Sequence, residues 1–175
     1  MIKLLLGLVL LCGSERAAVK NLADAEAAKI NPQVQPMTVE ELVVLPASPF
    51  TEDRPRDQTE LSTFKVDAKV LGFKLEADLD YHVVIAGESG QTMIAEFPDP
   101  KCAADQATAQ RFQIARQHFL RYFQAPKAKY VKVKTPLSCT LIGVGLIDKI
   151  HGQTGVAPNG VELHPTLDIL CGANP

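Results

Sequence analysis

Three short strand-like runs, the first of which alternates apolar and polar residues, most limit what this chain can fold into. In the first run, Phe64, Val66 and Val70 alternate with lysine and aspartate residues. A period of two places one side of a β-strand in a core and the other side in water. Gly87 and Gly90 lie between the second and third runs, where they supply a hairpin turn. The three predicted strands are residues 62–70, 81–86 and 92–97.

One long amphipathic helix is predicted after the third strand, over residues 103–123. Its apolar residues Phe112, Ala115 and Phe119 recur at intervals of three and four, which is the spacing of one helix face. Strand-like sequence then returns at residues 130–134, 138–148 and 161–170, with an interruption at Thr135 and Pro136.

The order of these segments predicts the fold class. Three strands, a helix and then further strands is the order of an OB-fold barrel. We therefore predict a mainly β, OB-fold-like β-barrel with the strand order β-β-β-α-β-β and one amphipathic helix. The alternative is an open α+β sheet with one covering helix.

The first 60 residues differ in composition from the rest. Residues 1–13 combine a lysine with an apolar run, which is typical of an export signal and too short to span a bilayer. Residues 14–60 are interpreted as a tether with a proline-rich linker, in which Thr38 and Glu41 form a capping box that starts a short helix. The barrel domain is expected over residues 61–171.

The apolar start favours an exported protein, which is periplasmic, bound to the cell envelope or secreted. Cys12 raises the alternative of a lipid anchor, although bulky Leu11 precedes it. In an oxidising compartment we expect a disulfide that joins Cys102 to Cys171 or to Cys139. Three reduced, buried cysteines are the alternative.

Composition narrows the choice of partner. The net charge is −2, tryptophan is absent and aromatic residues make up 6% of the chain. Nucleic acid is therefore a less favoured partner, because its binding needs a basic face or a stacking surface. A saccharide, a peptide or an envelope protein is favoured, and no transmembrane span is expected in the mature chain.

The candidate site lies in the two most unusual loops, residues 74–80 and 148–160. In an OB-fold the loops that join strands one to two and four to five flank the ligand face. Polar residues in and beside these loops carry groups suited to binding, metal ligation or proton transfer. The candidate binding residues are Asp78, Asp80, His82, His151, Gln153, Asn159, Glu162 and His164.

A divalent metal is the one cofactor that the residues suggest. Asp78, Asp80 and His82 follow each other at a period of two, so in an extended segment they share one side. These three residues and His164 are the candidate ligands, but no metal-binding motif assigns them. The plainer interpretations are a solvated acidic turn and a structural histidine.

Three phrases of the chain resemble a family of small, often exported bacterial proteins. The phrases DLDYHVVI, TMIAEFPDP and GLIDKIHGQTGVAPNGVELHPTLDI are similar to its DxDYH strand, its IxEIPDP strand and its HGQxGxAPNGxELHP ending. The resemblance covers residues 65–169 and implies a compact β-barrel-like domain without an assigned activity. Leu79 and Thr166 depart from the family pattern. The residues that it picks out are Asp78, Asp80, Tyr81, His82, Glu96, Asp148, His151, Gly152, Gln153, Asn159, Glu162, His164 and Pro165.

Three functions remain open at the level of sequence. The first is an exported OB-fold-like binding or assembly module that uses loops 74–80 and 148–160. The second is a metal-assisted hydrolase of the nuclease or phosphodiesterase type on the same barrel, which needs the histidines and carboxylates to converge. The third is a structural subunit of an envelope assembly.

Overall fold

A computed structural model describes residues 12–13 and 15–172 of the chain. The prediction of a mainly β chain with one long helix is confirmed. Short 3₁₀ turns occur at Ala27–Lys29 and Pro100–Cys102. The α-helices of the described residues are α1 Ala17–Lys20, α2 Val39–Leu42 and α3 Gln106–Phe119. Their strands are β1 Val34–Pro36, β2 Thr63–Leu75, β3 Tyr81–Ala86, β4 Thr92–Phe97, β5 Val131–Ile147 and β6 Val161–Cys171.

The strands form one six-stranded sheet in the order β1-β2-β3-β4-β6-β5, with an additional pairing of β5 to β2. Strands β2, β3 and β4 form an antiparallel meander. β4 then pairs in parallel with β6, through Ile94 opposite Glu162. β6 is antiparallel to β5, which returns to β2. This register brings the start of β3, the end of β4 and the start of β6 to the same end of the sheet.

Helix α3 covers the sheet with one apolar face. Phe112, Ala115 and Phe119 are fully buried, as the helix pattern predicts. The Phe119 ring lies 5.3 Å from Phe73 and 5.4 Å from Phe97, so it joins helix and sheet. The helix is shorter than the predicted 103–123. It begins after Asp105, whose side chain caps the N–H of Thr108, and a turn follows Phe119.

Strand β5 is continuous where the sequence predicts an interruption at Thr135 and Pro136. The β2–β5 ladder passes from Val70 opposite Leu137 to Gly72 opposite Lys132. Pro136 therefore lies in a gap of the ladder, where its missing N–H costs no hydrogen bond.

The segment interpreted as a tether and linker contributes to the core. Val39 and Leu42 of α2 are fully buried, and the capping box of Thr38 and Glu41 is present as predicted. Charged residues fix the segment to the sheet. Glu60 accepts hydrogen bonds from Arg16 and Arg54, and Arg56 donates to Asp24 at 2.7 Å and 3.0 Å. We refer to Arg16, Asp24, Arg54, Arg56 and Glu60 as the anchor cluster.

The two disulfides differ from both expected pairings. Cys12 pairs with Cys102, and Cys139 pairs with Cys171. The second pair follows from the register of β5 and β6, in which these two residues are direct partners. This disulfide and a lipid anchor on Cys12 exclude each other, because both use the same sulfur. The disulfide also requires that Cys12 stay in the mature chain, whereas the predicted signal segment extends to residue 13.

Most of the predicted signal segment, residues 1–11, lies outside the described residues. Across the part of the chain that the structure describes, no helix has both the length and the apolar character of a membrane span.

Candidate functional site

A cavity of about 410 Å³ opens at the end of the sheet where β3 and β6 begin. Its wall combines the turn at residues 76–80, loop 148–160 and the N-terminal residues 13–20. The wall carries six carboxylates but only one lysine, so negative charge is in excess at neutral pH. The charged and titratable wall residues are Glu15, Lys20, Glu76, Asp78, His82, Glu96, Asp148, His151 and Glu162.

His82 and Glu96 are cross-strand partners on β3 and β4. His82 Nδ1 lies 2.9 Å from Glu96 Oε1 and 3.4 Å from Glu76 Oε1. Nε2 donates to the backbone carbonyl of Thr154 at 2.9 Å, so it carries a hydrogen. Burial acts to lower the pKa of His82, but the hydrogen bond to Glu96 and its charge outweigh burial and raise this pKa.

His164 on β6 is fully buried, and both ring nitrogens face carboxylates. Nδ1 lies 3.0 Å from Glu162 Oε1, and Nε2 lies 3.3 Å from Asp80 Oδ2. The second contact lacks hydrogen-bond geometry, and Nε2 has no hydrogen-bond partner among the described residues. Burial acts to lower the pKa of His164, yet Asp80 and Glu162 raise it to about 10. Burial raises the pKa of Glu162, while the bond to His164 opposes this shift.

The turn at residues 76–80 is fixed by hydrogen bonds from two directions. Glu76 N–H donates to the Asp80 carbonyl at 2.9 Å. Leu79 has a φ of 74°, which is unfavourable for leucine, and Arg116 Nη2 donates to its carbonyl at 2.5 Å. β2 continues to Leu75, so the turn is shorter than the predicted 74–80. The polar turn that the sequence predicts is present. The extended backbone that would place Asp78, Asp80 and His82 on one side is not, because the chain turns after Glu76.

Asp78 and Asp80 point to different environments. Asp78 lines the cavity, and its Oδ1 accepts from the N–H of Asp80 at 3.3 Å. Burial, followed by the charges of Asp80 and Glu96, raises the pKa of Asp78 to about 6. Asp80 is buried beside His164, and its Oδ1 accepts from the backbone N–H of Asp99 at 3.0 Å.

Loop 148–160 lies directly on β3. Gly155 has a φ of +84°, and a Cβ at this position would meet Val84 Cγ1 at 2.5 Å. Only glycine allows this approach together with this backbone conformation. The loop therefore brings the Thr154 carbonyl within reach of His82.

The N-terminal segment supplies the ammonium group of the cavity. Lys20 Nζ lies 3.1 Å from Asp148 Oδ2. Burial acts to lower the pKa of Lys20, but the charges of Glu162 and Asp148 outweigh it and raise this pKa. Glu15 pairs with Lys149 of loop 148–160 at 2.8 Å, which holds the same segment at the cavity mouth.

Two sets of three side chains have the donors and spacing of a metal site. Glu76, His82 and Glu96 form one set, and Asp80, Glu96 and His164 form the other. Within each set, one ligand atom per residue lies within 4.8 Å of the others. Imidazole and carboxylate groups are ligands of divalent first-row metals. Glu96 belongs to both sets.

Most of the residues predicted to form the site come together. Asp80 and His164 lie behind the cavity wall, next to Glu162. Asn159 does not join them. Its amide donates to the carbonyls of Leu42 and Leu45 and fixes α2 to the loop. The predicted residues on the wall itself are Asp78, His82, His151, Gln153 and Glu162.

Sequence reasoning from the residues alone missed Glu96, Lys20 and Glu15. One signal could have found Glu96. Counting outward from the hairpin turn, with Ala86 opposite Thr92, places Glu96 opposite His82. Nothing in the alanine-rich N-terminal sequence marks Lys20 or Glu15, because their roles depend on long-range contacts.

Comparison with known proteins gives no relative for this arrangement. No protein-family model, no curated protein and no solved structure matches the chain.

Proposed function

We propose that the chain is an exported, OB-fold-like binding module that takes a positively charged group into the cavity between the turn at 76–80 and loop 148–160. The observation that carries the proposal is the composition of the cavity wall, in which six carboxylates surround one lysine. The ammonium group of Lys20 already lies among them, 3.1 Å from Asp148. The cavity is thus suited to a cation.

The OB-fold part of the proposal is supported by strand pairing. The pairings run β2-β3-β4-β6-β5 and return to β2, with α3 between β4 and β5. A five-stranded Greek-key barrel with a helix at this point is the OB architecture. The cavity lies where OB-folds bind their ligands, on the second and third strands between the loops joining strands one to two and four to five.

Export is supported by the two disulfides together with the apolar start of the chain. Disulfides persist in the periplasm, in the cell envelope and outside the cell, and they are rare in the cytosol. We infer the same compartments for this protein. We also propose membership of the bacterial family with the HGQxGxAPNGxELHP ending, on the three similar phrases within residues 65–169 alone.

Electrostatics decides among the partner classes. The pKa of Asp78 is raised to about 6, in part by the charges of neighbouring carboxylates, so a bound cation would relieve a repulsion already present. A neutral saccharide brings no such gain, and a phosphate group would be repelled. A peptide or envelope protein that presents a lysine or arginine side chain fits the cavity best.

The test is a titration of the disulfide-bonded protein with a small lysine peptide, in EDTA and at low salt. The probe is acetyl-Gly-Lys-Gly-amide, and the control is the same peptide with an Nε-acetylated lysine. We expect amide NMR shifts at residues 76–82 and 148–154 with the charged peptide only, and their loss in 0.5 M NaCl. The double variant Glu76→Gln/Asp78→Asn should bind more weakly, whereas Asp168→Asn, on the exposed ion pair with His118, should not. Equal binding of the two peptides, or none of either, would show the proposal to be wrong.

A metal-assisted hydrolase is the second candidate function. It is favoured by one observation, the proximity of two histidines to carboxylates that share Glu96. No arginine lines the cavity among the described residues, so a phosphodiester could be held there only after metal ions offset the carboxylates. Hydrolysis of bis-p-nitrophenyl phosphate by metal-loaded protein, lost in Glu96→Gln, would favour this function over the binding module.

A further inference from the structure

We propose that Asp80, Glu96 and His164 bind one divalent transition-metal ion behind the cavity wall. Of its three ligands only Glu96 also lines the cavity, and the lysine peptide is titrated in EDTA, so either proposal can fail alone. Each of the three residues offers one donor atom within 4.8 Å of the other two. The residues come from three separate parts of the chain, namely the turn before β3, the end of β4 and the start of β6.

The unpartnered nitrogen of His164 is the observation that points to an ion. Its side chain is fully buried, and Nε2 has no hydrogen-bond partner in the described part of the chain. A buried polar atom without a partner is costly, and native proteins leave few of them. Nε2 nevertheless points toward Asp80 Oδ2 at 3.3 Å. A metal ion between these atoms would satisfy both.

The separation of these two atoms fits ligands of one ion. Two donors at about 2.1 Å from a metal are about 3.0 Å apart in octahedral and about 3.4 Å apart in tetrahedral coordination. The 3.3 Å between Nε2 and Asp80 Oδ2 falls in this range. It is long for a charge-assisted hydrogen bond between an imidazolium and a carboxylate.

The surroundings of the ligands resemble the supporting contacts of known metal centres. A metal-bound histidine almost always donates its other ring nitrogen to a carboxylate or carbonyl. His164 Nδ1 has this partner in Glu162 at 3.0 Å. Asp80 is held through Oδ1 by the N–H of Asp99, which leaves Oδ2 for the ion. Glu96 also reaches the cavity, so an ion has an entry path.

Charge and donor type indicate which ion would bind. The ion takes the place of the Nε2 proton of His164, which is released to solvent, and two carboxylates with the resulting neutral imidazole then balance a double positive charge. Zn²⁺ or Mn²⁺ suits this mixed donor set, whereas Ca²⁺ takes six to eight oxygen ligands and Mg²⁺ keeps most of its waters. We therefore expect Zn²⁺ and Mn²⁺ to bind in preference to Ca²⁺ and Mg²⁺.

The test is metal titration of the full, disulfide-bonded protein after stripping with EDTA. Calorimetry should give one equivalent of Zn²⁺ or Mn²⁺ and at least tenfold weaker binding of Ca²⁺ and Mg²⁺. Asp80→Asn keeps an oxygen for the Asp99 N–H and should weaken Zn²⁺ binding at least 100-fold, as should Glu96→Gln. His118→Gln, from a histidine–carboxylate pair outside the cavity, should bind as the parent does. Glu76→Gln, from the neighbouring set, removes only a nearby charge and should weaken Zn²⁺ binding about tenfold, far less than Asp80→Asn.

The wild-type chain gives a readout that needs no variant to fold. Zn²⁺ should shift the ¹⁵N resonance of His164 Nε2 and leave that of Nδ1 nearly unchanged. The proposal is wrong if no ion binds at millimolar concentration, or if Zn²⁺ affinity falls in Glu76→Gln and not in Asp80→Asn. The lysine peptide is titrated in EDTA. A failure of metal binding therefore leaves the peptide result unaffected, and a failure of peptide binding leaves the metal result unaffected.

Discussion

The anchor cluster and the cavity are both rich in buried charge, but their balance of charges is opposite. In the anchor cluster each carboxylate contacts arginine, with Arg16 and Arg54 on Glu60 and Arg56 on Asp24. In the cavity, carboxylates outnumber the one lysine, and several of them contact histidines instead of arginines. A guanidinium group is charged at every physiological pH and its planar donors match a carboxylate, whereas a histidine can lose its proton or bind a metal. The anchor cluster is therefore suited to fixing a segment, and the cavity to accepting a cation.

The largest expected effect comes from removing the central carboxylate of the anchor cluster. Glu60→Gln leaves the buried guanidinium of Arg16 without its counter-charge and leaves Arg54 with Asp57 alone, at 3.5 Å, so we expect a loss of about 3–5 kcal/mol in the free energy of unfolding. The matched change in the cavity, Glu96→Gln in EDTA, weakens the bond to His82 but also removes one of several repelling carboxylates, so it should cost less, about 1–2 kcal/mol. Urea unfolding of both variants measures the difference, and equal losses would contradict the comparison.

An intermediate effect is expected when the cavity loses its own cation. Lys20→Met should lower the free energy of unfolding in EDTA by about 1–2 kcal/mol, because the Lys20–Asp148 pair is only partly exposed. The same change should strengthen Zn²⁺ binding about tenfold, since a competing positive charge is gone. Lys149→Met is the control, because its pair with Glu15 is more exposed and its loss should change the free energy of unfolding less than the loss of Lys20 does. Unchanged Zn²⁺ affinity in Lys20→Met would show that the charge of Lys20 does not act on the metal site.

The smallest effect is a difference in pH dependence between the two regions. The folded-state pKa of Asp78 is raised to about 6, so its ionisation destabilises the fold increasingly above pH 4 and fully above pH 6. Asp78→Asn should therefore stabilise the protein by about 1–2 kcal/mol at pH 7.5, after allowance for solvent screening, and have little effect at pH 4.

The ionisation of Asp24 changes the stability of the fold in the opposite direction to that of Asp78. Partial burial acts to raise its pKa, but Arg56 outweighs this and lowers the folded-state value below the ordinary one. Its contribution is present above about pH 4 and is lost as the pH falls through the folded-state value. Asp24→Asn should thus destabilise the protein at pH 7.5 and lose its effect in acid. Urea midpoints of both variants across this range, in EDTA, check the two signs, and slopes of the same sign would contradict the comparison.

The sequence predicts those parts of the fold that follow from local patterns. Period two locates β2, two apolar runs on either side of a glycine turn locate β3 and β4, and the spacing of Phe112, Ala115 and Phe119 identifies α3 and its buried face. Both candidate loops contribute to the cavity. They could be predicted because their glycines and charged residues can be recognised in the sequence without knowledge of any contact. What the sequence does not reveal depends on distant partners. The ion pairs of Arg16 and Arg56 span more than 30 residues, so in a sequence these arginines look like surface charge.

Dependence on distant partners also explains why the predicted cysteine pairings are wrong and why Asn159 does not join the site. Cys139 and Cys171 pair because the β5–β6 register makes them neighbours, and spacing along the chain gives no indication of this. Asn159 lies in the correct loop, but its amide contacts α2, which composition alone assigns to a tether. A local pattern predicts which residues are polar and available to bind a partner. Only the strand register determines which of these residues contact each other.

The Cys12–Cys102 bond makes the N-terminal segment resistant to loss after a cut in the backbone. The bond closes a covalent ring that contains all of β1 to β4. Residues 46–53 form its most accessible stretch, without helix or strand and largely exposed. A protease that cuts there would leave both pieces joined as one molecule, with Lys20 still held beside the cavity. Only reduction after the cut would release the piece that carries Lys20.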